Sequence, residues 1–257
     1  MELVTSLYSE EKLNELNGQN DGYEYKTISI KEAYEYFGEN MVNNMLKNES
    51  YTAEMLSKYC GSVAVSRYND KDICYNSVQR LVDHGQSQIN IHLMISQETL
   101  DTVYQTFKDY LEDNRLANLN AIVLLSLKQK GRGKNFTPLT QKQFDEMVNY
   151  ALDNNIPIGF DSCSCGKLFK TIQDFPNKEE IEQVAEPCES FGLFSAYINV
   201  NARYFPCSFV EGIGKWKEGI NILKIESFLK DIWYCNSLKE DRKRSLKCGR
   251  ECLYFNI

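Results

Sequence analysis

Between residues 61 and 161, short apolar runs alternate with amphipathic segments of helical periodicity. The apolar runs predict strands over 63–66, 89–95, 121–127 and 156–160. Because a helical segment separates each strand from the next, the strands are expected to run parallel, joined by right-handed crossovers. The alternation therefore predicts an α/β fold. An open sheet and a whole or partial βα barrel share this local pattern, and both collect ligands at the carboxyl ends of their strands.

The three intervening helices have recognisable ends and apolar faces. A helix over 72–84 is predicted to end at Gly85, a residue suited to a C-terminal cap. Ser96 is predicted to cap the second helix and Thr140 the third. The run over 121–127 is almost continuously apolar, which is typical of a strand buried on both faces. The side chains predicted to point inward are Val78, Leu81 and Val82 in the first helix, Leu100, Val103, Phe107 and Leu111 in the second, and Phe144, Met147, Val148, Ala151 and Leu152 in the third.

The two ends of the chain lack the regular alternation of strands and helices seen in this middle part. Residues 3–7 fit another parallel strand, and residues 29–59 are predicted to be largely helical. Beyond residue 175, residues 197–205 predict a β-hairpin that turns near Asn201. Apolar runs are short in this tail, which predicts a weak core of its own. Two short helices are predicted at 224–232 and 237–247.

Composition excludes several classes of function. The formal net charge is −7, which disfavours an extensive nucleic-acid surface or an anionic-membrane surface, since phosphate binding needs a basic face. No signal peptide and no membrane span is recognised. The cysteine count is odd and the spacings match no small secreted disulfide framework. A reducing cytoplasm is therefore the expected location.

Four cysteines near the end of the chain predict a metal centre, because four thiolates can hold a zinc ion or an iron–sulfur cluster. The close spacing of Cys248 and Cys252 favours metal over unrelated buried thiols, an alternative that the residues alone leave open. Either Cys163 or Cys165 could replace one ligand, or both could be free thiols. Metal binding would help the tail to fold. The four predicted ligands are Cys188, Cys207, Cys248 and Cys252.

Three short segments carry motifs of one known family: 65–68 (VSRY), 90–96 (NIHLMIS) and 131–133 (GRG). They resemble the later strands of the partial barrel in the radical S-adenosylmethionine superfamily. The hairpin leading into Cys207 and the later cysteine pair resemble that superfamily's accessory-cluster domain, called SPASM, or its shorter relative, called twitch. The family's turn glycine is replaced by Asn201-Ala202, and asparagine tolerates a positive φ. The resemblance spans about residues 61–257.

The resemblance implies a domain organisation and a cofactor. It implies a truncated partial barrel over 1–175, with a helical insertion at about 8–60, followed by a twitch-like metal domain over 176–257. It favours an iron–sulfur cluster, of the 4Fe–4S type, over zinc. Arg132 and Asn90 are the cofactor-binding residues that the resemblance suggests.

One family motif is absent from these 257 residues: the CxxxCxxC loop that binds the reactive cluster. The chain is therefore expected to be a catalytically incomplete relative that acts as a protein-binding or inhibitory factor. A phage origin is also expected, because 160–163 and 186–190 resemble segments of bacteriophage proteins. The alternative is a subunit or fragment of a radical enzyme whose partner supplies the missing cluster.

The same comparison with the family suggests where a protein partner binds. If residues 3–7 correspond to the family's third strand, the chain starts two βα units late and leaves one strand edge unpaired. Such an edge invites pairing with another chain or needs a cover. A partner is therefore expected to contact mainly residues 1–60.

Overall fold

The computed structural model describes residues 48–247 and 252–255. The predicted strand at 3–7, most of the predicted helix at 29–59 and Cys248 lie outside these residues. The first part of the described chain alternates helices and strands. Its elements are α1 (Asn48–Tyr59), β1 (Val63–Ser66), α2 (Lys71–Asp83), β2 (Ile89–Ile95), α3 (Leu100–Glu112), β3 (Ala121–Ser126), α4 (Gln141–Asp153) and β4 (Ile158–Phe160).

The four strands form one parallel sheet in the order β1-β2-β3-β4. Each strand lies beside the strand that precedes it in the chain, and a helix connects β1 to β2, β2 to β3 and β3 to β4. The prediction of an α/β fold with a parallel sheet is therefore confirmed. The arrangement is consistent with a partial βα barrel.

The sheet buries one face more fully than the other. Along β2, residues alternate between buried and half-buried, and β3 shows the same alternation. Successive right-handed crossovers in one direction place the connecting helices on the same side, where Ile91 and Leu124 join a core that contains Val78, Phe107 and Phe144. The prediction that β3 is buried on both faces is wrong. Its half-buried residues are Ala121, Val123 and Leu125.

The predicted helix ends are partly confirmed. Gly85 has a φ of 84°, and its N–H donates to the Val82 carbonyl at 2.9 Å at the end of α2. Thr140 caps α4 in a capping box with Gln143. Helix α3 begins at Leu100, three residues later than a cap at Ser96 predicts, with Thr99 at the N-cap position. The Ser96 hydroxyl still accepts from the Thr99 N–H at 3.2 Å, and the Thr99 hydroxyl oxygen accepts from the Ser96 N–H at 2.9 Å.

Two of the leucines predicted to point inward do not. Leu111 is 52% exposed and Leu152 is 43% exposed, whereas the other predicted members of their helix faces are buried or half-buried. Both lie in the last turn of a helix. Periodicity shows which face of a helix points inward, but it does not show where along the helix the contact with the sheet ends.

The second part of the described chain is built from short elements. The predicted hairpin is confirmed, and Ile220–Asn221 adds a third antiparallel strand to it. The predicted helix at 224–232 is instead a 3₁₀ turn at Ile222–Lys224 and a π-helical turn at Phe228–Trp233. The elements are α5 (Cys165–Thr171), α6 (Lys178–Val184), β5 (Tyr197–Ile198), β6 (Arg203–Phe205), β7 (Ile220–Asn221) and α7 (Asn236–Lys247).

This tail has an apolar cluster of its own, contrary to the expectation of a weak core. The cluster forms because β6, the aromatic residues around it and α7 bury side chains from distant parts of the tail. At its centre Trp216 donates to Asp241 at 2.7 Å, and Lys215 pairs with the same buried carboxylate at 3.0 Å. The buried members of this tail cluster are Cys188, Phe191, Tyr204, Phe205, Val210, Trp216, Ile232 and Leu238.

Two further points concern the whole described chain. The division into domains at residue 175 stays a prediction. No helix within residues 48–247 and 252–255 combines the length and apolarity needed to cross a lipid bilayer.

Candidate functional site

A polar network lies where β3 and β4 end. One Asp161 oxygen accepts hydrogen bonds from the Ser126 N–H at 3.3 Å, from the Ser164 N–H at 3.1 Å and from the Ser164 hydroxyl at 2.6 Å. The other Asp161 oxygen pairs with the Lys128 ammonium. The Ser126 and Ser164 hydroxyls also contact each other, at 2.7 Å. Asp161 is therefore fixed by both strands' carboxyl ends, the edge at which parallel sheets bind ligands.

Two lysines connect this edge of the sheet to the tail. The side chain of Lys128 is only 8% exposed, and its ammonium lies 5.1 Å from the centre of the Phe209 ring. Lys130 donates to the Glu211 carbonyl at 2.6 Å. Both contacted residues closely follow Cys207, so the segment after β3 positions a cysteine-bearing segment of the tail.

Two thiols lie beside this network. Burial raises the pKa of Cys163 to about 12, against the opposing effect of the Lys128 ammonium, and Asp161 and the Cys188 thiol add smaller upward contributions. Burial also raises the pKa of Cys165 to about 11, and its thiol donates to the Glu186 carbonyl at 3.1 Å. Both thiols are therefore protonated near neutral pH in the absence of a metal, which argues against a role as a thiolate nucleophile.

Three of the four predicted metal ligands lie near one another in the tail. Cys188 is buried, while Cys207 and Cys252 are half-buried. Burial raises the pKa of Cys252, and the neighbouring Cys188 and Cys207 thiols raise it further. Cys188 also contributes, after burial, to the raised pKa values of Cys163 and Cys165, so it lies near the thiols at the end of the sheet as well.

These thiols match a metal site in chemistry but not in arrangement. Soft sulfur donors suit zinc and iron–sulfur clusters. Among the described residues, however, no group of three or more His, Cys, Asp or Glu side chains is arranged to hold a metal ion. The fourth predicted ligand, Cys248, lies outside those residues. The thiols are therefore near one another, and a formed metal site is not shown.

Sequence reasoning left Cys235 out of the predicted set. This thiol is half-buried against the tail cluster, close enough to Tyr204 to contribute, after burial, to the raised pKa of that phenol. Its position directly after Trp233 and Tyr234 is the signal that could have placed it in a packed region. Sequence reasoning also did not predict that Lys128 and Asp161 form an ion pair, although each residue closely follows a predicted strand.

Asn90 and Arg132 do not come together. Asn90 lies near the start of β2, where it accepts from the Asn120 amide at 3.1 Å and pairs in register with Ala121 at the start of β3. Arg132 is exposed in a 3₁₀ turn after β3, at the opposite edge of the sheet. The neighbouring position 133 needs a glycine, because a Cβ there would lie 2.5 Å from the Lys128 carbonyl oxygen.

Comparison of this chain with protein-family models, with curated proteins and with solved structures finds no match.

Proposed function

We propose that this chain binds one metal centre, an iron–sulfur cluster or a zinc ion, through the cysteines of its tail. The observation that carries the proposal is the proximity of Cys188 and Cys207 to Cys252, whose pKa is raised first by burial and then by these two neighbouring thiols. Cys248 is the fourth ligand in this proposal. Because the described thiols are not in ligand positions, metal binding would have to draw them together and release their protons.

The proposed centre is structural. The tail already buries an apolar cluster, and the contacts of Lys128 and Lys130 hold its 207–211 segment against the sheet. A metal would add a crosslink among Cys188, the segment after β6 and the end of the chain. Its loss would therefore loosen the tail more than the parallel sheet.

The proposed role of the whole chain is binding rather than catalysis. Radical cleavage of S-adenosylmethionine needs an iron with an open coordination position, and a centre held by four thiolates offers none. We therefore propose that this chain does not cleave S-adenosylmethionine, and that a protein partner contacts mainly residues 1–60. Within that range the structure describes α1, where Ala53 and Leu56 pack on the core of the sheet and Tyr59 is exposed.

Anaerobic purification with iron, zinc and acid-labile sulfide analysis tests the metal proposal. We expect one centre per chain, with Cys207→Ser and Cys252→Ser each losing most of it. Cys60→Ser is the matched control, because Cys60 is also half-buried but lies between α1 and β1. Full retention of the metal in both tail variants would contradict the proposed ligand set. A chain that folds without iron or zinc would contradict the centre itself.

A reductive assay tests the proposed lack of catalysis. The chemically reduced protein is incubated with S-adenosylmethionine, and 5′-deoxyadenosine is measured by liquid chromatography. No product above the level of the reductant alone is expected. Turnover that disappears in a cysteine variant would favour the alternative, a working part of a radical enzyme.

A further inference from the structure

The buried carboxylates of the described chain have their charges compensated. Asp109 of α3 accepts from Lys71 at 3.1 Å and from Tyr75 and Gln105 at 2.9 Å. Burial alone would raise the pKa of Asp109, but these donors lower it overall. The buried Asp241 of the tail is paired as described above. Such pairing is expected, because burying a charge without a partner costs much free energy.

Arg67 is different. Arg67 is the residue directly after β1, and it is only 7% exposed. Its guanidinium Nε and Nη1 atoms are buried, but they have no hydrogen-bond partner. Its backbone N–H donates to the His92 carbonyl at 2.9 Å, which continues the pairing of β1 with β2 by one residue. The residue is thereby fixed at the carboxyl edge of the sheet.

Two other cations, Arg115 and Lys71, lie near Arg67, and each is already paired with nearby carboxylates. The guanidinium carbon of Arg67 lies 5.7 Å from the centre of the Tyr75 ring, and that of Arg115 lies 5.3 Å from it. Arg115 pairs with Asp72 at 2.9 Å and with Asp113 at 2.6 Å, and Lys71 pairs with Asp109. No ion pair of Arg67 with a described carboxylate is found.

The contacts with Tyr75 do not replace a counter-ion. Burial raises the pKa of the Tyr75 phenol and a hydrogen bond with Arg67 opposes this, but the phenol is neutral and the Nε and Nη1 atoms of Arg67 stay without a partner. An aromatic ring attracts a cation through its face, but the N–H groups in the plane of the guanidinium keep their need for acceptors. Two oxygens of one carboxylate or phosphate match adjacent N–H groups of a guanidinium, which is why arginine is favoured at such sites. The Nε and Nη1 atoms are closed to solvent, and the exposed loop formed by Tyr68, Asn69 and Asp70 follows Arg67 directly, so a ligand reaches these atoms only if this loop moves aside.

From this geometry we propose that Arg67 is the anchor of a binding site for a small oxyanion, a carboxylate or a phosphate group, between the end of β1 and helix α2. The oxyanion accepts from the Nε and Nη1 N–H groups. The site lies on the side of the sheet that the helices cover and is separate from the cysteines of the proposed metal centre. Its occupancy stabilises the folded chain, because the ligand supplies the counter-charge that the described residues lack.

Titration of the full chain with inorganic phosphate and, separately, with acetate tests this site at constant ionic strength. Binding of phosphate is followed by ³¹P NMR line broadening, and each anion's effect on the unfolding temperature is measured. We expect a saturable response that Arg67→Met weakens by at least about tenfold, as for the loss of a charged hydrogen bond. The relative strength of the two responses distinguishes a phosphate site from a carboxylate site.

Two further variants complete the test. Lys142→Met is the control, because it removes one positive charge from an exposed position of α4 and should leave the response unchanged. Arg67→Lys keeps the charge but loses the planar fork, so weaker binding is expected even if Arg67→Met does not fold. The proposal is overturned by a wild-type chain without a saturable response. An undiminished response in a folded Arg67 variant also overturns it.

Discussion

Ala202 is one of three non-glycine residues with a positive φ in the part of the chain that the structure describes. It has a φ of 54° in the turn between β5 and β6. The side-chain oxygen of Asn199 accepts from the N–H groups of Asn201 and Arg203, both at 3.0 Å, and holds the turn in place. The sequence suggested that Asn201 would tolerate the positive φ, but the hydrogen bonds of Asn199 place it at Ala202.

Replacing Ala202 with glycine is expected to stabilise the protein. A left-handed conformation costs a residue with a Cβ about 1–2 kcal/mol, and glycine removes that cost while increasing the freedom of the unfolded chain. We expect Ala202→Gly to raise the free energy of unfolding by about 1 kcal/mol, measured by urea denaturation. Ala117→Gly is the control, because Ala117 has a φ of −58° on the surface and should be destabilised instead. Equal effects of both changes would contradict this explanation.

At the scale of single elements, the start of α4 depends on a reciprocal pair of side chains. The Thr140 hydroxyl accepts from the Gln143 N–H at 3.3 Å, and the Gln143 side chain accepts from the Thr140 N–H at 3.0 Å. Thr140→Ala is expected to cost about 1 kcal/mol of stability, which is typical of a lost N-cap. A double-mutant cycle with Gln143→Ala measures the coupling by chemical denaturation. Strictly additive effects of the two changes would contradict the capping box.

The segment before α3 is tied to the segment before α4 by a carboxylate. Both Glu98 oxygens lie within 3.0 Å of the Thr137 nitrogen as acceptors of its N–H. The hydrogen bonds from Thr137 lower the pKa of Glu98 to about 2 from its ordinary value of 4.5. Because the folded chain holds the ionised form more strongly than the unfolded chain does, this contribution is complete above pH 4.5 and disappears as the pH falls towards 2.

Glu98→Gln is therefore expected to change the acid sensitivity of the protein. The variant should be less stable than the wild type at neutral pH and should lose less stability between pH 4.5 and 2. Urea denaturation at a series of pH values measures both effects. Glu146→Gln is the control, since Glu146 is an exposed residue of α4 whose nearest cation, Lys142, is 3.8 Å away. A difference between wild type and Glu98→Gln that is constant with pH would contradict the assignment.

At the scale of the whole molecule, the half-buried pair of Lys128 and Asp161 connects the end of the sheet to the tail. Asp161 is held by β3 and by the turn after β4, while Lys128 contacts Phe209 of the tail. Lys128→Met would leave the carboxylate half-buried without its cation. The pair therefore contributes to the position of the 207–211 segment as well as to the sheet.

Breaking this pair is expected to be costly. Lys128→Met should lower the free energy of unfolding by up to about 3 kcal/mol, the lower end of the range for a fully buried ion pair, because both residues are half-buried. Adding Asp161→Asn should recover part of the loss, because the remaining carboxylate charge is then removed. Urea denaturation measures the cycle, and hydrogen exchange at residues 207–211 reports on the tail. If the tail amides exchange no faster in Lys128→Met, the proposed connection is wrong.

The local sequence by itself determined the four parallel strands, two of the three helix caps examined and the hairpin. These features depend on a period of two or of 3.6 residues and on turn residues that act within a few positions of themselves, so neighbouring residues contain the information. The start of α3 was misplaced because Ser96 and Thr99 are both good caps, and their hydroxyls bond each other at 3.2 Å before the helix begins.

Only the tertiary structure decided which distant side chains meet. It brought Lys128 to Phe209, placed Cys188 near thiols on both sides and left Arg67 buried without a described counter-ion. It separated Asn90 from Arg132, because the start of one strand and the end of its neighbour lie at opposite edges of a parallel sheet. The aromatic packing around β6 also gave the tail a core that no single apolar run predicted. Such contacts depend on crossover geometry and on packing between segments far apart in the chain, and local periodicity carries neither.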